Sequence, residues 1–162
     1  LANKYISSLI STAFSSGVTF LSYPILAVVY SLDEFGRFAV REDGKKAEAQ
    51  KVRELMAQTF TLEQQIERGK KVYETDCVAC HGMKGEGGVG KPIAGSKIAT
   101  GPIEHHLSTV VHGVSGTAMQ SFGATLNDLD LAAVVTYERN AFGNNMGDSL
   151  QAVDVYKFKS KK

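Results

Sequence analysis

The chain has 162 residues, enough for one domain of roughly 100 residues with an extension, or for one larger domain. Its 43% hydrophobic and 22% charged residues match an ordinary globular protein. A net charge of +1 argues against nucleic acid as the main partner, because phosphate binding needs a basic excess.

The chain opens at Leu1, as a processed product, a fragment or an incomplete reading frame would. Residues 1–32 form an apolar segment in which 5–32 carry no charge. As a helix, that stretch is long enough to cross a hydrocarbon core of about 30 Å. Its many serines and threonines and the interruption at Pro24 count against a span. Lys4 before it and charges after it suit a membrane anchor or a targeting segment. The other reading is a remnant strand, carried by Ile25-Leu26-Ala27-Val28-Val29-Tyr30. Both stand open on sequence alone.

Residues 33–60 are charged and alanine-rich, with Val52, Leu55 and Met56 as a narrow apolar stripe, and predict a solvated linker helix. A domain over 61–145 then begins with a capping box, Thr61-Leu62-Glu63-Gln64. Leu62, Ile66, Gly69 and Tyr73 share one face of the helix that follows. Residues 82–101 are rich in glycine and contain Pro92, the pattern of a long loop of the kind that wraps a ligand. A helix over 103–112 is stopped by Gly113, and a second loop follows over 115–123. Asn127 caps a last helix with Leu131, Val134 and Val135 on its apolar side. Residues 146–162 read as a polar, then basic, mobile tail ending in Lys157, Lys159, Lys161 and Lys162. No strand signal appears after residue 60. The predicted fold is therefore all-α, a small helical domain whose thin core would be completed by an apolar cofactor.

The chemistry centres on Cys77-Val78-Ala79-Cys80-His81. Both cysteines of the chain lie here, so close together that a disulfide would close almost no loop. Two thiols at this spacing can add to the two vinyl groups of one haem, and the adjacent imidazole then lies under the iron. A zinc site would need about four protein ligands and the chain has no second cysteine pair to complete one, and a thioredoxin-like pair would need a strand-helix-strand context. For the second axial position the candidates are Met56, Met83, Met119, Met146, His105, His106 and His112. Met83 is too near His81 in sequence to reach the opposite face, and Met56 and Met146 lie outside the central part of the domain. The three histidines fall on or at the end of a helix, where exposure or capping is the expected role. Met119, in the glycine-flanked loop Gly116-Thr117-Ala118-Met119-Gln120-Ser121-Phe122-Gly123, is the expected ligand, with the bland reading of a methionine as core filler set against it. A His81/Met119 pair closes both axial positions and describes an electron carrier.

Residues 61–145 resemble a class I c-type cytochrome domain, through Cys77-Val78-Ala79-Cys80-His81-Gly82, Gly116-Thr117-Ala118-Met119 and the last helix. The resemblance implies that Gly69 and Tyr73 cross the last helix near Tyr137. It also implies that Pro92, in Lys91-Pro92-Ile93-Ala94-Gly95-Ser96, offers its carbonyl to His81. More closely, the Pro92–Ser96 and Met119 segments and Leu131-Ala132-Ala133-Val134-Val135-Thr136-Tyr137-Glu138-Arg139-Asn140-Ala141-Phe142-Gly143-Asn144 resemble the cytochrome c fusion of bacterial cytochrome c oxidase subunit II. Val28-Val29-Tyr30-Ser31-Leu32-Asp33-Glu34-Phe35 resembles the start of the linker in that subunit.

That resemblance implies a relay of single electrons toward a respiratory terminal oxidase. Its partners would be other oxidase subunits or a soluble cytochrome, at the periplasmic face of a bacterial membrane. One departure stands out. Residues 1–27 contain no Cys, His, Met, Asp or Glu, so no dinuclear copper centre is expected in this chain. Two rivals remain: the electron-accepting domain of a membrane dehydrogenase, and a haem peroxidase or gas sensor with a displaceable Met119. The second is disfavoured because the Met119 loop contains no His or Arg.

Overall fold

The computed structural model describes residues 25–161, with the backbone alone for 25–35, 38 and 39. Among these residues there are six helices and no strand, as the all-α reading expects. They are α1 (Ile25–Ala57), α2 (Leu62–Asp76), α3 (Val78–His81), α4 (Ile103–His112), α5 (Asp128–Asn140) and α6 (Ala152–Ser160).

The chain divides into two units, 1–47 and 48–162. In the first, the backbone from residue 25 onward is helical. The strand reading of Ile25 to Tyr30 is thereby corrected. A short apolar run fits a helix or a strand equally well, and no second strand among the described residues could pair with it. The remainder of the apolar segment, 1–24, lies outside the described residues. Among the described residues no helix is long and apolar enough to cross a membrane.

The second unit is built around α2 and α5. The capping box of α2 forms as the sequence predicts: the Thr61 N–H donates to Gln64 Oε1 (2.9 Å), and the Gln64 N–H donates to Thr61 Oγ1 (3.3 Å). Backbone hydrogen bonds and the Thr61 hydroxyl hold the Glu63 carboxyl below its usual range. Asn127 Oδ1 caps α5 by accepting from the Asp130 N–H (2.9 Å). Where the two helices cross, Gly69 lies directly on the Ala133 carbonyl, and a Cβ there would also come within 2.7 Å of Tyr137 Cβ. Arg68 pairs with Asp130 beside the crossing (2.7 Å). One turn along, the rings of Tyr73, Tyr137 and Phe142 form a cluster with centroids 5.1–5.5 Å apart. Buried Leu107, Val110 and Val111 of α4 join Leu131, Val134 and Val135 of α5 to complete the core.

The tail differs from expectation. Residues 152–160 form a docked helix in which Ala152, Val153 and Val155 are buried. Leu55 and Val52, from the last turns of α1, pack with Ala152 and Val153 in a second cluster. The linker's apolar stripe thus belongs to the domain core, while Met56 faces outward. Lys157 and Lys159 are exposed on α6, where Lys159 pairs with Asp128 (2.9 Å).

Three outcomes follow from this structure. Gly69→Ala forces α2 and α5 apart and is expected to cost about 1–3 kcal/mol in denaturant melts. Gly44→Ala in α1, where nothing lies within 4 Å, is expected to raise helicity instead. Burial pushes the Tyr73 hydroxyl above its ordinary value, and that hydroxyl donates to the Gly82 carbonyl (2.7 Å). Its contribution is complete below the unfolded value near 10 and is lost as pH rises beyond it. Tyr73→Phe should therefore cost about 1 kcal/mol at neutral pH and lessen the alkaline loss of stability.

Candidate functional site

The cysteine motif begins where α2 ends. The Cys77 N–H donates to the Tyr73 carbonyl, and the Cys77 carbonyl accepts from Cys80 (3.1 Å) and His81 (3.0 Å). One short turn, α3, therefore holds both thiols and the imidazole, and the thiols are not bonded to each other. Gly82 stops the turn at φ 79°, a conformation that favours glycine. The loop then folds back on the motif: Gly90 donates to the Cys80 carbonyl and Gly87 to the His81 carbonyl, both at 2.8 Å. At Gly90 the backbone passes so close to the His81 ring that a Cβ would lie 2.8 Å from Cε1.

This loop orients the imidazole. His81 Nδ1 lies 2.7 Å from the Lys91 carbonyl oxygen. A carbonyl can only accept, so Nδ1 carries the proton and the neutral ring leaves its Nε2 lone pair free for a metal. The resemblance assigned the acceptor to Pro92. The structure corrects this by one residue: the acceptor is Lys91, and Pro92 fixes the backbone angle immediately after it.

Met119 lies across a second loop whose backbone is pinned on both sides. Its N–H donates to Thr117 Oγ1 (3.1 Å), and its carbonyl accepts from the Val114 N–H (2.9 Å). Of the four methionines, Met56, Met83 and Met146 are exposed, whereas Met119 packs against the core cluster. Of the candidate histidines, His105 and His112 are exposed. His106 departs from the expectation of exposure or capping: it is buried, with Nε2 2.8 Å from Glu138 Oε2.

Three groups in α5 and the loop after it escaped the sequence reading. Glu138 is buried and pairs with His106. Burial, reinforced by the Glu138 charge, pushes the Cys77 thiol up. Arg139, 1% exposed, donates to the carbonyls of Ala99 and Gly101 and pairs through two hydrogen bonds with Asp148. The Asn144 side chain bonds Gly95, Ile93 and the Glu138 carbonyl. Together Arg139 and Asn144 tie the long glycine loop to α5. A hydrophobic pattern cannot flag either of them, since Arg139 is a polar residue at a core-facing helix position and Asn144 lies in the loop beyond the helix.

The donor set suits a covalently attached haem: free thiols at both ends of one turn and an imidazole with its outer nitrogen oriented away from the backbone bond. Among the described residues there is no group of three or more His, Cys, Asp or Glu side chains that could hold a metal ion by themselves.

Residues 64–137 match the family model described as cytochrome c oxidase, cbb3-type, subunit III. Two curated relatives are each similar to part of the chain. Cytochrome c55X of Stutzerimonas stutzeri is 38% identical over 60 residues, covering 37% of this chain and 53% of the relative. Cytochrome c55X of Paracoccus denitrificans (strain Pd 1222) is 32% identical over 62 residues, covering 38% of this chain and 60% of the relative. The chain thus spans between half and two thirds of the length of these relatives. The segment built on α2, the cysteine motif and α5 is accordingly similar to cytochrome c domains.

Proposed function

We propose that this chain is a single-electron carrier holding one haem c through Cys77 and Cys80, with His81 and Met119 as the two axial ligands. The observation that carries the proposal is the oriented His81. Its Nδ1 is committed to the Lys91 carbonyl, so Nε2 is available on the turn that bears both free thiols. The haem supplies one couple, ferric to ferrous, and no group transfer. The protein's own residues do the remainder. Cys77 and Cys80 would retain the cofactor, the Lys91 bond orients the imidazole and would raise its basicity toward the iron, and Met119, on a loop with a pinned backbone, would supply a thioether as second ligand. With both axial positions closed, substrates have no access to the iron.

We further place the domain as a relay toward a respiratory terminal oxidase, in the manner of the cytochrome fused to subunit II, at the periplasmic side of a membrane. The cbb3-type oxidase description of the matching family model supports an oxidase connection, and c-type attachment supports an extracytoplasmic site. Partners would be other oxidase subunits or a soluble cytochrome. Purification of the chain with its native complex tests this placement: oxidase subunits in the complex support it, and dehydrogenase subunits overturn it.

The ligand assignment is tested on the chain matured in cells that attach c-type haem. The wild type should show a reversible one-electron couple and the far-red methionine-to-iron band of the ferric state. Met119→Ala should abolish that band and lower the midpoint potential, while Met146→Ala, at an exposed side chain, should leave both unchanged.

A further inference from the structure

α6 lies outside residues 64–137, the part matched by the family model, and the proposed electron transfer assigns it no role. It docks through the buried Ala152, Val153 and Val155. Two residues near its C-terminal end make a different set of contacts. The Phe158 ring lies against His112, with centroids 5.8 Å apart, and Lys159 Nζ donates to the Gly123 carbonyl (2.9 Å). His112 is where the chain leaves α4 for the Met119 loop, and Gly123 is where that loop ends. One helix end therefore touches both stems of the loop.

The loop itself is thinly held. Its base is tied to the end of α4, where the N–H groups of Phe122 and Gly123 donate to the carbonyls of Val110 and Val111. Beyond that base, residues 114–118, 120 and 121 are exposed, and the loop buries little besides Phe122 and part of Met119. A segment with so few buried side chains opens locally at low cost unless its base is secured. Lys159 adds to that security with charge-assisted bonds that are partly sheltered from solvent. Its ammonium pairs with Asp128 as well (2.9 Å), at side-chain exposures of 34% and 18%. A cation beside the first turn of α5 opposes that helix's dipole, so the ammonium gives α5 little beyond the pair with Asp128. What it adds is the tie to Gly123.

We propose that the end of α6 is a clasp on the Met119 loop, with Lys159 and Phe158 as positioning residues that keep Met119 on the iron. The inference rests on Met119 being the second axial ligand. The thioether leaves the iron when its loop opens, and the clasp makes opening rarer by tying both stems to a helix anchored on α5. Both residues act through the loop backbone.

The test uses the haem-loaded full chain in its ferric state, with cyanide as the competing ligand and loss of the far-red methionine-to-iron band as the signal. Lys159→Met should speed displacement about tenfold, the worth of one charge-assisted hydrogen bond. Lys159→Arg keeps the charge and a donor and should restore a rate near that of the wild type. Lys157→Met, at an exposed side chain of the same helix, should leave the rate unchanged. Hydrogen exchange separates a clasp from a general loss of stability. In Lys159→Met the Phe122 and Gly123 amides should exchange faster, while amides in the middle of α2 and α5 keep their wild-type rates. An unchanged cyanide rate in Lys159→Met, an equal acceleration in Lys157→Met, or exchange that rises equally in α2 and α5 overturns the proposal. Failure of the underlying ligand reading looks different: the wild type would then lack the far-red band before any cyanide is added.

Discussion

The structure depends on one close approach, the crossing of α2 over α5 at Gly69. Because Gly69 has no side chain, the helix backbones approach until it rests on the Ala133 carbonyl. Everything that bears on the site is measured from that contact. α2 continues for two more turns from Gly69 to Cys77, so the crossing fixes where the thiols and His81 begin. α5 carries Glu138, Arg139 and the turn that leads to Asn144, so the same crossing fixes where the glycine loop is anchored. A side chain at residue 69 would move both halves of the site relative to each other.

The second layer of organisation is polar. A loop with as many glycines as 82–101 loses much conformational freedom on folding, and few of its side chains can repay that through burial. It is held by hydrogen bonds instead. Cys80 and His81 offer carbonyls to Gly90 and Gly87, Asn144 accepts from Gly95, and Arg139 reaches the carbonyls of Ala99 and Gly101. The result is that the Lys91 carbonyl is placed beside His81 by contacts on both sides of it. Orientation of the imidazole is a property of the whole loop, and it reaches the core through α5.

Much of this was legible in the sequence, for identifiable reasons. The Thr61 capping box, the Asn127 cap, the Gly113 stop and the cysteine motif are local signals, in which a few neighbouring residues settle the outcome. The Gly69–Tyr73–Tyr137 arrangement came through resemblance. What stayed hidden was non-local. α6 read as part of a basic tail because its lysines stand out in a short polar stretch, although the buried Ala152, Val153 and Val155 suffice to dock it. His106 and Glu138 are far apart in sequence, so nothing in either segment signals a buried pair. The acceptor for His81 was displaced by one residue because a loop's path decides which carbonyl points inward, and a motif does not contain that path.

The central claim is a closed, six-coordinate carrier, and exposure of the ferrous, haem-loaded chain to carbon monoxide tests it most directly. If His81 and Met119 both hold the iron, the visible spectrum should remain that of the low-spin ferrous form at neutral pH. A prompt shift to a carbon monoxide complex would show an open axial position, contradict the carrier assignment, and favour gas binding or peroxide chemistry at this site.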